Sequence, residues 1–313
     1  MGRKRNGRMG KLLGHWTHGV VFGGGGARGG AHVGAWRVLN ETGYQPDIAV
    51  GASIGALVAA SLGMGLNPDE MEEVFRVGSP RLLDTSCNDG RGKTRTERLG
   101  CILHEFLGDV DLSDLNPRVA VTATDLGSQQ RVLLTSSPAW KAVQASMSIP
   151  GMFDPVDWEG HCLVDGGVLD NVPTQAAYQL GAQCIVAVDI GGDQWDMDVA
   201  LNTVACVNRQ LHRVLNWAVK FSNREDTVDT WIRSAMLPAS KLGQIFMAAC
   251  PPDILITPRM QDMWLLSMDR IVETFHVGEA AAREKIDEVK RLMKTHRSVH
   301  KEIPKYLPVL ITL

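Results

Sequence analysis

The chain has 313 residues, 44% of them hydrophobic, and a formal net charge of −3. That is enough apolar material for one large core or two modest ones, and the scattered basic residues form no aromatic-interleaved stripe, so nucleic acid is not an expected partner. Cys87, Cys101, Cys162, Cys184, Cys206 and Cys250 include no C-x-x-C pair, and no histidines stand at zinc spacing; no metal site is expected, and a reduced, cytoplasmic compartment fits best.

Arg3, Lys4, Arg5, Arg8 and Lys11 are not followed by an apolar run, so residues 1–17 read as a basic, disordered tail and not as a signal peptide. Two roles are open to such a tail: simple solvation, or peripheral contact with anionic lipid at the inner membrane surface. Gly19 to Phe22 is a short apolar run that stops at glycines, and Ala31 to Glu41 has helical spacing ended by Gly43. Ile48 to Ala52 reads as a second buried strand and Ile54 to Leu62 as a second helix. Ile48 to Pro68 carries no charge, but Gly51, Gly55, Gly63, Gly65, Ser53 and Ser61 divide it into a strand and a tightly packed helix, which argues against a membrane span.

Asn67-Pro68-Asp69-Glu70 is a helix start, and the helix is expected to run to about Val77. The polar stretch from Ser79 to Thr94 reads as a surface loop, either a lid or merely variable surface. A helix over Thr96–Phe106, strands over Val119–Thr124 and Val132–Thr135, and a helix from Pro138 through Met147 follow. Cys162 to Val164 is a strand leading into Asp165-Gly166-Gly167, Thr174 to Leu180 is helical, and Cys184 to Val188 is the next clear strand. This alternation predicts an α/β fold with a mainly parallel sheet covered on both faces. Residues 18–192 form the expected core. Residues 193–313 are expected to be a helix-rich elaboration of the same domain, with helices near 199–221 and 270–296, a strand at Ile254–Ile256 and an apolar tail from Tyr306.

Two stretches carry chemistry. Gly24-Gly25-Gly26-Ala27-Arg28-Gly29 follows the first strand and offers bare backbone amides to an anion; Gly51-Ala52-Ser53-Ile54-Gly55 follows the second and sets a serine on a sharp strand-to-helix turn. Together they suggest a serine hydrolase. The glycines also satisfy G-x-G-x-x-G, with Asp47 at roughly the spacing of a ribose-binding acid, so a dinucleotide-binding oxidoreductase is the rival reading. Asp47 precedes its strand, however, and falls at the end of the sheet away from the ligand edge. Among the possible bases, Asp165 follows a buried strand and is flanked by glycines, whereas His276 sits in a helical stretch with no sign of a catalytic position.

In order, Gly24 to Gly29, Gly51 to Gly55 and Asp165-Gly166-Gly167 resemble the three signatures of patatin-like phospholipases. Ser146-Met147-Ser148-Ile149-Pro150-Gly151-Met152-Phe153 and Asn171-Val172-Pro173 resemble the family's intervening blocks. The glycine loop and the short strand-helix start look more like the bacterial group related to neuropathy target esterase than like plant storage patatins, and the likeness to the family covers roughly residues 18 to 192. It implies a three-layer α/β/α sandwich that hydrolyses lipid or lysophospholipid acyl esters with a Ser-Asp dyad and no cofactor. By the same resemblance Ser53 is the nucleophile, Asp165 the proton acceptor, and Gly24, Gly25 and Gly26 the oxyanion hole. Arg28 and Gly29 support the loop, Gly51 and Gly55 shape the elbow, and Gly166 and Gly167 complete the Asp-Gly motif. A catalytically silent lipid-binding protein of the same fold is the third reading.

Overall fold

The computed structural model describes residues 16–82, 94–150, 152–191, 242–260, 263, 270–295 and 310–313. Most of the basic tail, the centre of the polar loop after Ser79 and the expected helix over 199–221 lie outside the described residues.

Strands β1 (His18–Phe22) and β2 (Ile48–Ala52) are buried at every position, as is β7 (Cys184–Val188), the pattern of strands covered on both faces. β1 lies between the other two, parallel to both, with Val20 opposite Ala49 and Val186. β3 (Arg118–Asp125) extends the sheet beside β2, and β8 (Ile254–Ile256) extends it beside β7, again in parallel. β4 (Gln130–Leu134), β5 (Val156–Trp158) and β6 (His161–Asp165) complete the middle of the chain, and β9 (Ile311–Thr312) pairs with β4. The order is β5-β6-β3-β2-β1-β7-β8, with β4 and β9 branching from β3.

The sheet is mixed, because β3–β4, β3–β6 and β5–β6 are antiparallel. Short connections impose this at β3–β4 and β5–β6: no crossover helix fits between β5 and β6, which are joined by Glu159-Gly160 with φ of 52° and 88°, the left-handed turn that matches strand twist. β3 is also forked. Its residues Arg118–Thr122 pair with β2 and Ala123–Asp125 with β6, while β4 takes Val121–Asp125 from the opposite edge. β2 and β6 therefore share one edge of β3 and run toward each other, so that their carboxyl ends meet.

Strand alternation sorts the core into two faces. Val20 and Phe22 pack in one cluster with residues of α1 (Gly30–Glu41), α2 (Ile54–Gly63), α3 (Pro68–Leu82), α4 (Arg95–Leu107), α5 (Ala139–Met147) and α8 (Ile271–Glu284). Val21 and Val50 pack in the other cluster with Ala176 and Ala177 of α6 (Thr174–Gln179), and with Met247 of helix α7, residues 242–249. A last helix, α9 (Ile286–Thr295), follows α8. α1 and α8 touch backbone to backbone: a Cβ on Gly34 would lie 1.9 Å from Phe275 O, and one on Gly278 2.0 Å from Ala31 O.

α3 continues past the expected stop at Val77 to Leu82, and within it Gly78 is packed under the Phe106 ring, 2.9 Å from where its Cβ would be, so the missing side chain makes room for α4. α4 begins at a full capping box, with the Thr94 side chain accepting from Glu97 N and the Glu97 side chain from Thr94 N. No helix among the described residues is long and apolar enough to cross a membrane.

Candidate active site

Ser53 stands between β2 and α2 at φ 52°, ψ −125°, a backbone region that non-glycine residues rarely occupy and that persists only where the surroundings hold it. The flanking glycines make the turn sterically feasible. A Cβ on Gly51 would fall 2.2 Å from Gly55 O, and one on Gly55 would fall 2.2 Å from Phe22 O and 2.6 Å from Gly23 O. α2 thus starts directly against the ends of β1 and β2, with the positive end of its dipole beside Ser53. Ser53 Oγ donates to Asp165 Oδ2 at 2.6 Å, and the two residues are 6% and 5% exposed.

Asp165 is the last residue of β6 and caps the 3-10 turn Gly166–Val168. Its Oδ1 accepts from Gly167 N at 2.7 Å, and Gly166 packs on the carbonyl of Thr122, 2.5 Å from where its Cβ would be. Burial pushes the carboxyl up to about 6, and the bonds from Ser53 and Gly167 pull against that rise. At neutral pH the group is ionised, yet more basic than an ordinary aspartate.

The glycine loop lies beside this pair. A Cβ on Gly24 would be 3.2 Å from the Cβ of Ser53 and 2.6 Å from Asn171 Oδ1. Asn171 grips Gly24 on both sides: Gly24 N donates to Asn171 O at 3.0 Å, and Asn171 Nδ2 donates to Gly24 O at 3.1 Å. The Gly24 amide, expected in the oxyanion hole, is therefore engaged, whereas the amides of Gly25 and Gly26 have no acceptor among the described residues. Gly26 has φ 53°. Gly29 lets the 3-10 turn Gly26–Gly29 cross Ile54, whose Cγ1 would be 2.4 Å from a Cβ.

Arg28 is 4% exposed. Its Nε donates to Met263 O at 2.9 Å, and Nη1 donates to Ile190 O at 3.2 Å and Gly191 O at 2.7 Å. The guanidinium ties the glycine loop to the segment after β7. Burial lowers its pKa, and the nearby Asp189 charge acts the other way.

No histidine among the described residues bonds to Ser53 or Asp165. His276 is 84% exposed on α8. Asp47 accepts from His18 N at the start of β1, the opposite end of the sheet from Ser53. His32 went unremarked in the sequence: fully buried on α1, it is pushed down to about 4 by burial, against the bond to Gly23 that favours its charge, so the neutral ring donates Nε2–H to Gly23 O at 2.7 Å. Ser146 and Asn171 were legible only as members of resembling blocks; no local signal marks the contacts they make.

A family model described as patatin-like phospholipase matches residues 20–178, from β1 through α6. The chain is 34% identical over 206 residues to neuropathy target esterase sws of Drosophila melanogaster, covering 61% of this chain and 14% of that protein. It is 29% identical over 288 residues to lysophospholipase NTE1 of Pyricularia oryzae, covering 87% of this chain and 18% of that protein. The chain thus spans under a fifth of either relative. Among solved structures, VipD from Legionella pneumophila aligns over 87% of this chain and 67% of that one, at 15% identity and a TM-score of 0.48. On the extent of the family match, this chain belongs to the patatin-like phospholipase family.

Proposed function

We propose that the chain hydrolyses acyl esters of lipids, of the phospholipase A, lysophospholipase or carboxylesterase type, through a Ser53–Asp165 dyad and an acyl-enzyme. The observation that carries the reading is the 2.6 Å hydrogen bond from Ser53 Oγ to Asp165 Oδ2 beside the unengaged amides of Gly25 and Gly26. Two curated relatives, named as a neuropathy target esterase and a lysophospholipase, support lipid esters as the substrate class.

In the proposed cycle Ser53 Oγ bonds to the ester carbonyl carbon as its proton passes to Asp165 Oδ2, and the carbonyl π pair moves onto oxygen. The Gly25 and Gly26 amides hold that oxyanion, each worth on the order of a hundredfold in rate. Collapse breaks the bond to the alcohol oxygen, which leaves with the proton from Asp165. Water then attacks the acyl-enzyme, its proton goes to Asp165, and Ser53 Oγ departs and recovers a proton. A carboxylate raised to about 6 is a workable base near neutral pH, where one at the ordinary value is not.

The test is hydrolysis of p-nitrophenyl butyrate and of lysophosphatidylcholine by wild type, Ser53→Ala, Asp165→Asn and each single His→Ala. Loss confined to the first two variants is expected. Full activity in Asp165→Asn ends the dyad, and a folded but inactive histidine variant replaces it with a triad.

A further inference from the structure

We propose that Ser146 is a positioning residue for Ser53, its hydroxyl oxygen holding the serine's amide so that Oγ faces Asp165; this rests on the hydrolase reading above. Ser53 lies just beyond the β2 ladder, so its buried N–H needs a partner from elsewhere. That partner is Ser146 Oγ, at 2.8 Å. Ser146 is fully buried near the end of α5. A serine hydroxyl has one proton, and Ser146 donates it to Thr122 O at 2.7 Å, which leaves a lone pair turned toward the Ser53 amide. The hydroxyl is thereby a fixed acceptor.

The same helix end also holds the other member of the pair. Two residues on, the carbonyl of Ser148 accepts from Asp165 N at 3.0 Å, while the Ser148 hydroxyl turns back to Gln144 O at 2.8 Å. Gln144 Nε2 in turn donates to Thr96 O on α4 at 2.6 Å, which braces α5 from behind. Thr122 is the common seat: its carbonyl receives Ser146, and Gly166 packs against it. One turn therefore holds the amides of both Ser53 and Asp165. With Ser146 removed, the left-handed backbone at Ser53 loses the one partner that its buried N–H has among the described residues. The serine is then free to relax away from the carboxylate.

The experiment uses the full chain as wild type, Ser53→Ala, Ser146→Ala, Ser146→Cys and Ser61→Ala. Ser61 supplies the control, since its hydroxyl is buried on α2 without a hydrogen-bond partner among the described residues. Measured at 25 °C are kcat and KM on p-nitrophenyl butyrate, the rate of labelling by a fluorophosphonate, circular dichroism and melting temperature. Expected for Ser146→Ala is a fall of about 10- to 100-fold in kcat and in labelling rate, with KM within about twofold. Ser146→Cys, a poorer acceptor of similar size, is expected to lose about fivefold or more, and Ser61→Ala nothing. A folded Ser146→Ala with wild-type kcat, or one changed only in KM or melting temperature, overturns the proposal. If the alanine variant does not fold, the cysteine variant decides by the same criteria; if neither folds, the hydroxyl serves the fold and the proposal fails. An active Ser53→Ala sinks the Ser53–Asp165 dyad on which the proposal rests, whereas an inactive Ser53→Ala beside a fully active Ser146→Ala sinks only the role of Ser146.

Discussion

Asp165 and Ala52 occupy consecutive places on one edge of β3, opposite Ala123 and Thr122, and reach them from opposite directions. Ser53, the next residue after Ala52, thereby meets a carboxylate 112 positions away. The meeting is set by backbone pairing and does not depend on the two side chains. Either side chain can be changed with the ladder left intact.

Asp165→Asn is accordingly expected to fold while losing on the order of a thousandfold in kcat. It is also expected to be more stable than wild type at alkaline pH. Because burial raises the folded carboxyl to about 6, its contribution to stability is fully present below the ordinary carboxylate value and is lost as pH rises through about 6. Asparagine carries no such penalty. Thermal melts should place the variant above wild type at pH 8, with the gap closing toward pH 4; a variant that melts lower at pH 8 contradicts the burial argument.

The same titration should appear in catalysis with the opposite sense. A base must be ionised, so kcat/KM is expected to rise with pH through about 6 and then level. Histidine titrates nearby, so the profile is repeated in the single His→Ala variants. Each should keep the rising limb, and one that loses it identifies a histidine as the base.

Gly55→Ala is expected to cost about 2–3 kcal/mol, because the new methyl would meet the Phe22 and Gly23 carbonyls at 2.2 and 2.6 Å and backbone cannot yield as a side chain can. Gly43→Ala offers the contrast. Nothing lies within 4 Å of its Cβ, but φ is +78°, so the cost should be only about 1–2 kcal/mol of backbone strain. Urea midpoints rank the two.

Arg131 forms a buried pair with Asp170, which lies in the segment that joins Asp165 to Asn171, with Nη1 to Oδ2 at 2.7 Å, Nη2 to Gln175 Oε1 at 2.8 Å, and the guanidinium 3.8 Å over the Phe246 ring. Burial pushes Asp170 up to about 6 against the pull of Arg131. Arg131→Met should destabilise by about 3–5 kcal/mol, since it strands a buried carboxylate. Adding Asp170→Asn should restore part of that loss, and a double-mutant cycle in urea measures the coupling.

The elbow and glycine loop were legible because their signals are local: a short apolar run, a cluster of glycines, then helical spacing. The bounds of β2 followed from such signals, and Asp165 stood out as an aspartate between an apolar run and two glycines; its place in a family block came from the resemblance alone. β5 was not legible, since Val156-Asp157-Trp158 is too short for an alternating pattern, and its Glu159-Gly160 turn is a weaker hairpin cue than Asn-Gly. The fork in β3 was equally hidden, because no periodicity tells which strand takes which half of an edge. Nor does composition tell that a carbonyl 147 positions away occupies the Gly24 amide. A long-range backbone contact of that kind engages Gly24 N and leaves the Gly25 and Gly26 amides without an acceptor among the described residues.

The most direct measurement is peptide mapping by mass spectrometry after timed exposure to a fluorophosphonate, on wild type and Asp165→Asn side by side. Expected is a single adduct on Ser53 in wild type, formed on the order of a thousandfold more slowly in the variant. An adduct on another residue, or equal labelling rates in the two proteins, contradicts the pairing of Ser53 with Asp165 as the reacting couple.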